Sequence, residues 1–337
     1  MISIIVAVYN TSELISKCID CLLAQTYKDI EVILVDDGST DESPTVCDAY
    51  AAADDRVKVI HKKNGGLSAA RNTGLENASG NYVYFVDGDD MIHKECILTL
   101  KNIMDETNAD IVQCGIQCFL DESKINQNVD CSKSYIVKTG KEMCYSLMFG
   151  EYGSVCSVVW NKLYKKSIFD TYKFTDGVRY DDVSTVHKLY WAADKVAFLP
   201  SELAFYRSKR SGSITHSGHL ANVEQINAAK LRCDFFKEAG EKALYEQGMY
   251  LMCNDYAKIR TNTTDKNLKK SLKSDHIDLY KKVRMSSISV IKKLLAFMGA
   301  YIPNVWMAIW KIRKVIKTIV EWKGQTFELL ARSKDDD

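Results

Sequence analysis

Four short apolar runs, each followed by a stretch of helical periodicity, fill the first 90 residues. Residues 2–8 (Ile-Ser-Ile-Ile-Val-Ala-Val) predict a buried strand, β-branched and nearly all apolar. Beyond it Leu14, Ile15, Cys18, Ile19, Leu22 and Leu23 fall on one helix face. Asn10 and Glu13 are spaced as a capping box for that helix, which should run to about Gln25. Ile30 to Val35 predicts a second strand ending at Asp36-Asp37-Gly38, with Ser39 and Glu42 capping a second helix toward Asp54. A third strand from Val57 to Ile60 leads through Asn64-Gly65-Gly66 into a helix from Leu67 to about Asn77, and a fourth strand follows at 82–86. This alternation demands a parallel sheet with helices on both faces, the α/β class. Beyond residue 91 the pattern loosens. A helix is expected at 95–106, a strand near 110–116, a polar loop or hairpin at 120–135, mixed pieces to about 206, and helix over most of 220–283.

Three of the four strands end in polar, ligand-type residues: Tyr9-Asn10, Asp36-Asp37 and Asp87-Gly88-Asp89. In a parallel sheet these ends share one edge, where ligands sit in open α/β folds. Val83 to Val86 runs straight into Asp87, Asp89 and Asp90, and aspartate is rarely buried unless paired. Hard oxygen ligands at this spacing suit Mg(II) or Mn(II), although Asp-Gly is also a common turn pair. The turn after the first strand has no glycine, which excludes the dinucleotide fingerprint, and no phosphate-cradling G-x-x-x-x-G-K-[ST] loop is present. The glycine-rich basic loop expected of a sugar nucleotidyltransferase is missing as well. Phosphates would therefore be held through metal. Asp37 can accept from a nucleobase imide, a backbone carbonyl near Val8 can help, and Arg71 can donate to a base carbonyl or stand as a surface charge. Asp87 can take ribose or metal-bound water, and Asp89 can ligate the metal directly.

Length allows two domains, and 45 basic against 44 acidic residues leave a net charge of +1, with no global field for nucleic acid. Eleven cysteines form no regular framework. Cys18 and Cys21, the one C-x-x-C, read as helix core, and free thiols in this number suit a reducing cytosol. The first residues enter a strand with no basic leader, so no signal peptide is expected. Residues 281–323 hold ten Lys or Arg and one acid, Glu321, around a 17-residue uncharged stretch from Leu294 to Trp310 interrupted by Pro303. That is short for a membrane span. Trp306, Trp310 and Trp322 with the flanking lysines fit an amphipathic helix lying on an anionic leaflet, while packing on the core and a true span are the alternatives.

Five blocks carry a resemblance to a known family: Ile4-Ile5-Val6-Ala7-Val8-Tyr9-Asn10, Gln25-Thr26-Tyr27, Glu31 through Asp41, Asn64 through Gly74, and Asp87-Gly88-Asp89-Asp90. In order and spacing they resemble the family 2 inverting glycosyltransferases, whose GT-A fold is a Rossmann-like mixed sheet flanked by helices. The resemblance implies a catalytic domain over about 1–215, with donor half 1–90 and acceptor half 91–215; beyond it the residues themselves predict a helical region 216–337 whose basic segment 285–323 associates with membrane. The family likeness implies transfer from a UDP-sugar to the hydroxyl of a glycan acceptor, expected to be lipid-linked, in capsule, exopolysaccharide or lipopolysaccharide synthesis. The enzyme would be peripheral at the inner face of the cell membrane, and self-association is compatible with the sequence. Val8, Tyr9, Asn10, Asp37, Asn64, Arg71, Asp87 and Gly88 would form the donor site, with Asp37 and Arg71 on uracil. Asp87 and Asp89 would be the D-x-D motif binding ribose and Mn(II) or Mg(II). The family's acid pair matches Asp181-Asp182, where Asp replaces the usual Glu, and Asp182 aligns with the base. Trp160 and Lys162 would face the acceptor, Arg207 or Arg210 would clamp the diphosphate, and His216 would be a further metal or phosphate ligand. A nucleotide-sugar-binding scaffold without turnover and a nucleotidyltransferase are the rival readings.

Overall fold

The computed structural model describes residues 1–131, 134–208 and 218–313. Its strands are β1 (Ile2–Val8), β2 (Ile30–Asp36), β3 (Val57–His61), β4 (Tyr82–Asp87), β5 (Met91–Ile92), β6 (Ile111–Phe119), β7 (Ile136–Lys138), β8 (Lys162–Lys165) and β9 (Val196–Arg207). The helices are α1 (Ile15–Leu23), α2 (Ser43–Ala53), α3 (Leu67–Asn77), α4 (Cys96–Thr107), α5 (Gly140–Phe149), α6 (Ile168–Thr171), α7 (Asp181–Ala192), α8 (Gly218–Glu238), α9 (Lys242–Asn262), α10 (Lys266–Met285) and α11 (Val290–Tyr301).

The strands form one mixed sheet in the order β3-β2-β1-β4-β8-β6-β9-β5, with β7 beside β9. β1 pairs in parallel with β2 and β4, and β2 with β3. Residues 2–6 of β1 and all of β2 are buried, which is why both read as near-continuous apolar runs rather than alternating ones. β8 is antiparallel to β4 and β6, and β6 is parallel to β9. The C-terminal ends of β1, β2, β3, β4 and β9 therefore share one edge. This is the expected mixed α/β architecture with C-terminal helices beyond it.

α1 buries Ile15, Cys18, Ile19 and Leu22, the predicted face, and Cys18 joins the main core. Both predicted helix caps fail. α1 begins after Leu14 and α2 after Glu42, neither with a side-chain cap. The reason is a cross-strand competition. Asn10 Oδ1 accepts from the Thr40 amide at 2.8 Å, Ser39 Oγ accepts from the Asn10 amide at 3.1 Å, and Asp41 takes the Ser12 amide at 3.0 Å. The loops after β1 and β2 are thus stitched to each other instead of to their helices.

Gly74 lets α3 lie against the sheet: a Cβ there would come within 2.2 Å of Ile5 Cγ2. A bulkier residue would lift α3, which carries Arg71, off β1.

Two compact units divide the chain, one ending at Arg232 and the other beginning at Cys233, within α8. The second contains α9, α10 and α11. Its interior holds Arg260, whose Nη1 pairs with His276 Nδ1 at 3.0 Å and donates to the Ala300 carbonyl at 2.9 Å. Burial, with Arg260 adding to it, pushes His276 down to about 3, so the ring is neutral. The uncharged stretch from Leu294 to Trp310 is broken at Ile302, before Pro303. Among the described residues no helix is long and apolar enough to cross a membrane. Trp306 is 3% exposed and packs with Ala257 and Met307, so this expected interfacial anchor is a core residue of its unit. Trp310 stacks on Trp306, and Trp322 lies outside the described residues.

Candidate active site

The donor-side edge starts at the β2 end. The Asp37 amide donates to the Val8 carbonyl at 2.9 Å. The Asp37 carboxylate, 3% exposed as a residue, accepts from Lys62 Nζ at 2.7 Å, the Gly65 amide at 2.9 Å and the Gly66 amide at 2.7 Å. Gly66 reaches this position with a φ of 87°, which favours glycine. A carboxylate offers about four lone-pair sites, so a fixed acceptor site is left beside the Val8 carbonyl. Tyr9 and Asn64 are exposed on the same rim.

At the β4 end, Gly88 donates to the Ala7 carbonyl at 3.2 Å, and a Cβ on it would sit 3.2 Å from Ala7 O, Ile15 Cδ1 and Thr11 Oγ1. The turn closes when the Asp90 amide donates to the Asp87 carbonyl at 2.9 Å. Asp90 is buried and accepts from the Arg207 amide at 2.8 Å, which ties the turn to the end of β9. Burial, then repulsion from Asp89 and Asp87, drives its carboxyl well above the usual range. Asp90 is therefore a brace for the turn. No cluster of three or more metal-ligating side chains occurs among the described residues. Two carboxylates on one turn instead suit Mg(II) or Mn(II) completed by substrate phosphates, the common mode for those cations.

α3 joins this edge to the acceptor half. Arg71 is 1% exposed, and its Nη2 donates to Asp87 at 2.8 Å while Nη1 donates to Asp181 at 2.6 Å and to Asp182 at 3.4 Å. Phe174 lies against the guanidinium, 5.5 Å from carbon to ring centre. Burial opposes the arginine charge, but Asp181, Asp87 and Asp182 outweigh it and raise the guanidinium above its usual range. A surface role for Arg71 is thereby excluded. Its neighbour Asn72 donates to the Phe174 carbonyl at 2.9 Å and to Asp176 at 3.0 Å, and accepts from the Phe174 amide at 3.1 Å. One helical turn thus holds both the acid pair and the loop that delivers it.

α7 starts at Asp181 immediately after Tyr180, whose φ is 64°. One guanidinium faces three carboxylates, so full ionisation would leave two negative charges uncompensated. The consequence is visible in the acids. Burial raises Asp181, with Arg71 opposing it. Burial and the adjacent Asp181 raise Asp182 to about 7, again against Arg71. Asp182 keeps 25% of its side chain open, whereas Asp181 keeps 5%.

Three residues expected to touch substrate are engaged within the protein. Lys162 is fully buried, and its ammonium donates to the Val158 and Val155 carbonyls at 2.5 and 3.1 Å and to Asn161 Oδ1 at 2.7 Å. Its donors fasten the chain before β8, so it does not reach an acceptor, and burial pushes it down to about 8. Trp160 is 8% exposed, belongs to the main core and stacks on Tyr206 at 5.4 Å, so it offers no open sugar platform. Arg207 does not point to a free phosphate site: its Nη2 pairs with Glu122 at 2.7 Å, its Nε donates to the Asp89 carbonyl at 3.1 Å, and Phe119 lies beneath it. Arg210 and His216 lie outside the described residues. Lys62, Asn72 and Glu122 were not singled out by sequence. Asn72 alone had a signal, its place next to Arg71 in a matching block.

A carboxylate turn at the parallel edge, the Asp37 carboxylate beside it at the β2 end, and an acid pair tied to the turn through Arg71 define a transferase domain of the GT-A type. Residues 3–173 match the family model described as Glycosyl transferase family 2, and the chain belongs to that family. It is 38% identical over 227 residues to the glycosyltransferase GlyG of Streptococcus pneumoniae, covering 64% of this chain and 72% of that protein. The crystal structure of S. aureus TarS 1-349 superposes with a TM-score of 0.64 at 20% identity, over 88% of this chain and 86% of that one. The same protein in complex with UDP-GlcNAc gives 0.56 at 19% identity, over 84% and 90%. A mannosyltransferase from Pyrobaculum calidifontis, in complex with GDP-Man and Mn2+, gives 0.52 at 16% identity, over 90% and 87%. The protein is a glycosyltransferase.

Proposed function

We propose that this glycosyltransferase moves a sugar from a UDP-sugar to a glycan hydroxyl with inversion, in one displacement, and that Asp182 is the base. The observation that carries the reading is the Arg71 bridge, which joins the D-x-D carboxylate Asp87 to Asp181 and Asp182 across two halves of the sheet. Asp37 and the Val8 carbonyl bind the base, and Arg71 serves as the bridge rather than as a uracil contact. Asp182 takes the acceptor hydroxyl proton as that oxygen attacks the anomeric carbon and the bond to the diphosphate breaks. UDP carries off the electron pair. Mn(II) or Mg(II), held by Asp87 and Asp89 together with the diphosphate, would neutralise the charge that develops on the leaving group. Asp181 stays paired to Arg71 and fixes the start of α7.

Of the two aspartates, the more open and less tightly paired Asp182 suits proton transfer better, because a base works best when its pKa is near the working pH. The acceptor is a lipid-linked glycan at the inner membrane face, as in capsule or exopolysaccharide synthesis. The basic C-terminal helices support that assignment. A panel of UDP-sugars with Mn(II) and lipid-linked acceptors tests it. UDP release coupled to glycan extension is expected. Tight UDP binding with no turnover would favour the scaffold, and pyrophosphate chemistry would favour a nucleotidyltransferase.

A further inference from the structure

α11 is amphipathic in the reverse sense. Its small residues Ala296, Gly299 and Ala300 are buried, and a Cβ on Gly299 would stand 3.1 Å from Ala257 Cβ of α9. Most of its large apolar residues face out, while Met298 packs on the Ala257, Trp306 and Met307 cluster. Val290, Leu294, Phe297 and Tyr301, spaced at four, three and four residues, are 80%, 57%, 40% and 46% exposed. That spacing is one helical stripe. Ile291 widens it at 70% exposed. Tyr280 of α10 packs edge-on to Phe297 and Tyr301, with ring centres 5.8 and 5.7 Å apart, so the stripe ends in an aromatic cluster. A soluble protein rarely leaves such a contiguous patch bare, and rings with one polar end favour the membrane interface.

The charge around the stripe selects the occupant. From Leu279 to Arg313 there are seven Lys or Arg and no Asp or Glu. Lys282, Arg284, Lys311 and Arg313 are exposed. Lys281 pairs with Asp278 at 2.8 Å and Lys292 donates to Gln247 at 2.7 Å. Two copies meeting through this face would bring like charges together, whereas an anionic surface would gain from the four exposed cations, about 1 kcal/mol per Lys or Arg close to the membrane. We propose that α11 lies flat on the membrane, its stripe inserted at the headgroup boundary of anionic lipid and the flanking Lys282, Arg284, Lys311 and Arg313 on the phosphates. This deepens, and rests on, the membrane-surface transferase reading above. It also moves the anchor from the tryptophans to the stripe.

The test is co-sedimentation of the full chain with phosphatidylcholine vesicles, with and without 30 mol% phosphatidylglycerol (a composition on the order of an anionic leaflet). The comparison variant is the triple substitution Val290→Ser, Ile291→Ser, Leu294→Ser, all at exposed positions, with UDP binding and thermal stability as folding controls. The parent should bind the anionic vesicles and lose binding in high salt. The variant should bind about 100-fold more weakly with unchanged UDP affinity. Equal binding by the variant overturns the stripe while leaving a membrane-bound transferase standing. No vesicle binding by the parent, together with a dimer that the triple substitution dissolves, overturns the lipid assignment in favour of a second copy. UDP-sugar turnover on a water-soluble acceptor tells both outcomes apart from a failure of the transferase reading itself.

Discussion

Replacing Asp182 by Asn separates the chemistry of this carboxylate from the cost of holding it in the fold. Burial and Asp181 lift Asp182 from the ordinary 3.8 to about 7. The folded protein therefore binds this proton more tightly than the unfolded chain does. Its contribution to stability is fullest below about pH 4 and is lost as pH rises through about 7. Three pKa units correspond to about 4 kcal/mol. With 25% of the side chain open to water, solvent screening brings this to about 1–2 kcal/mol. Asn carries no charge at any pH. The variant should therefore gain about 3 °C in Tm at pH 8 and gain nothing near pH 4. Loss of the base should lower transfer by about 10²–10⁴-fold, with donor affinity unchanged. Calorimetry at both pH values and a transfer assay on the same preparation measure the two effects. A variant that is less stable than the parent at pH 8, or that transfers at the parental rate, refutes the reasoning.

Activity in the parent should rise tenfold per pH unit below about 7 and level off above it, following Asp182; a flat profile from pH 5 to 8 counts against a carboxylate base. Asp89→Asn should abolish the Mn(II)-dependent part of UDP binding in calorimetric titrations, and identical titrations would remove Asp89 from that role. Arg71→Lys keeps one charge but cannot span three carboxylates, and disturbing a buried pair costs about 3–5 kcal/mol. It should lower both Tm and kcat, and an unchanged kcat would dismiss the bridge. Lys162→Met should lower stability by about 2–4 kcal/mol, through three unpaired acceptors, without changing the KM for acceptor. A higher KM at unchanged Tm would restore Lys162 to the acceptor site.

The donor half was legible because its strands are buried on both faces and its ligands sit at strand ends. Apolar runs stopping at Asp36-Asp37 and Asp87-Gly88-Asp89 locate the edge without any knowledge of distant contacts. What escaped depends on such contacts. The Arg71 partners Asp181 and Asp182 lie 110 and 111 residues away. Asn10 looked like a cap because the competing Thr40 amide, 30 residues on, is invisible to local spacing. Lys162 was assigned to the acceptor through the resemblance, and Trp306 to the membrane face through its residue type and basic neighbours. The first is held by backbone carbonyls of its own loop and the second by the packing of α9. The reversed amphipathicity of α11 was equally hidden, since hydropathy gives the apolar stretch but not which side the rest of the unit covers.

The stereochemistry of the product tests the central claim most directly. With an α-linked UDP-sugar as donor, a single in-line displacement assisted by Asp182 predicts a β-linked product, read from the anomeric proton coupling by NMR. An α-linked product would contradict it, because retention requires a second displacement or a different face of attack.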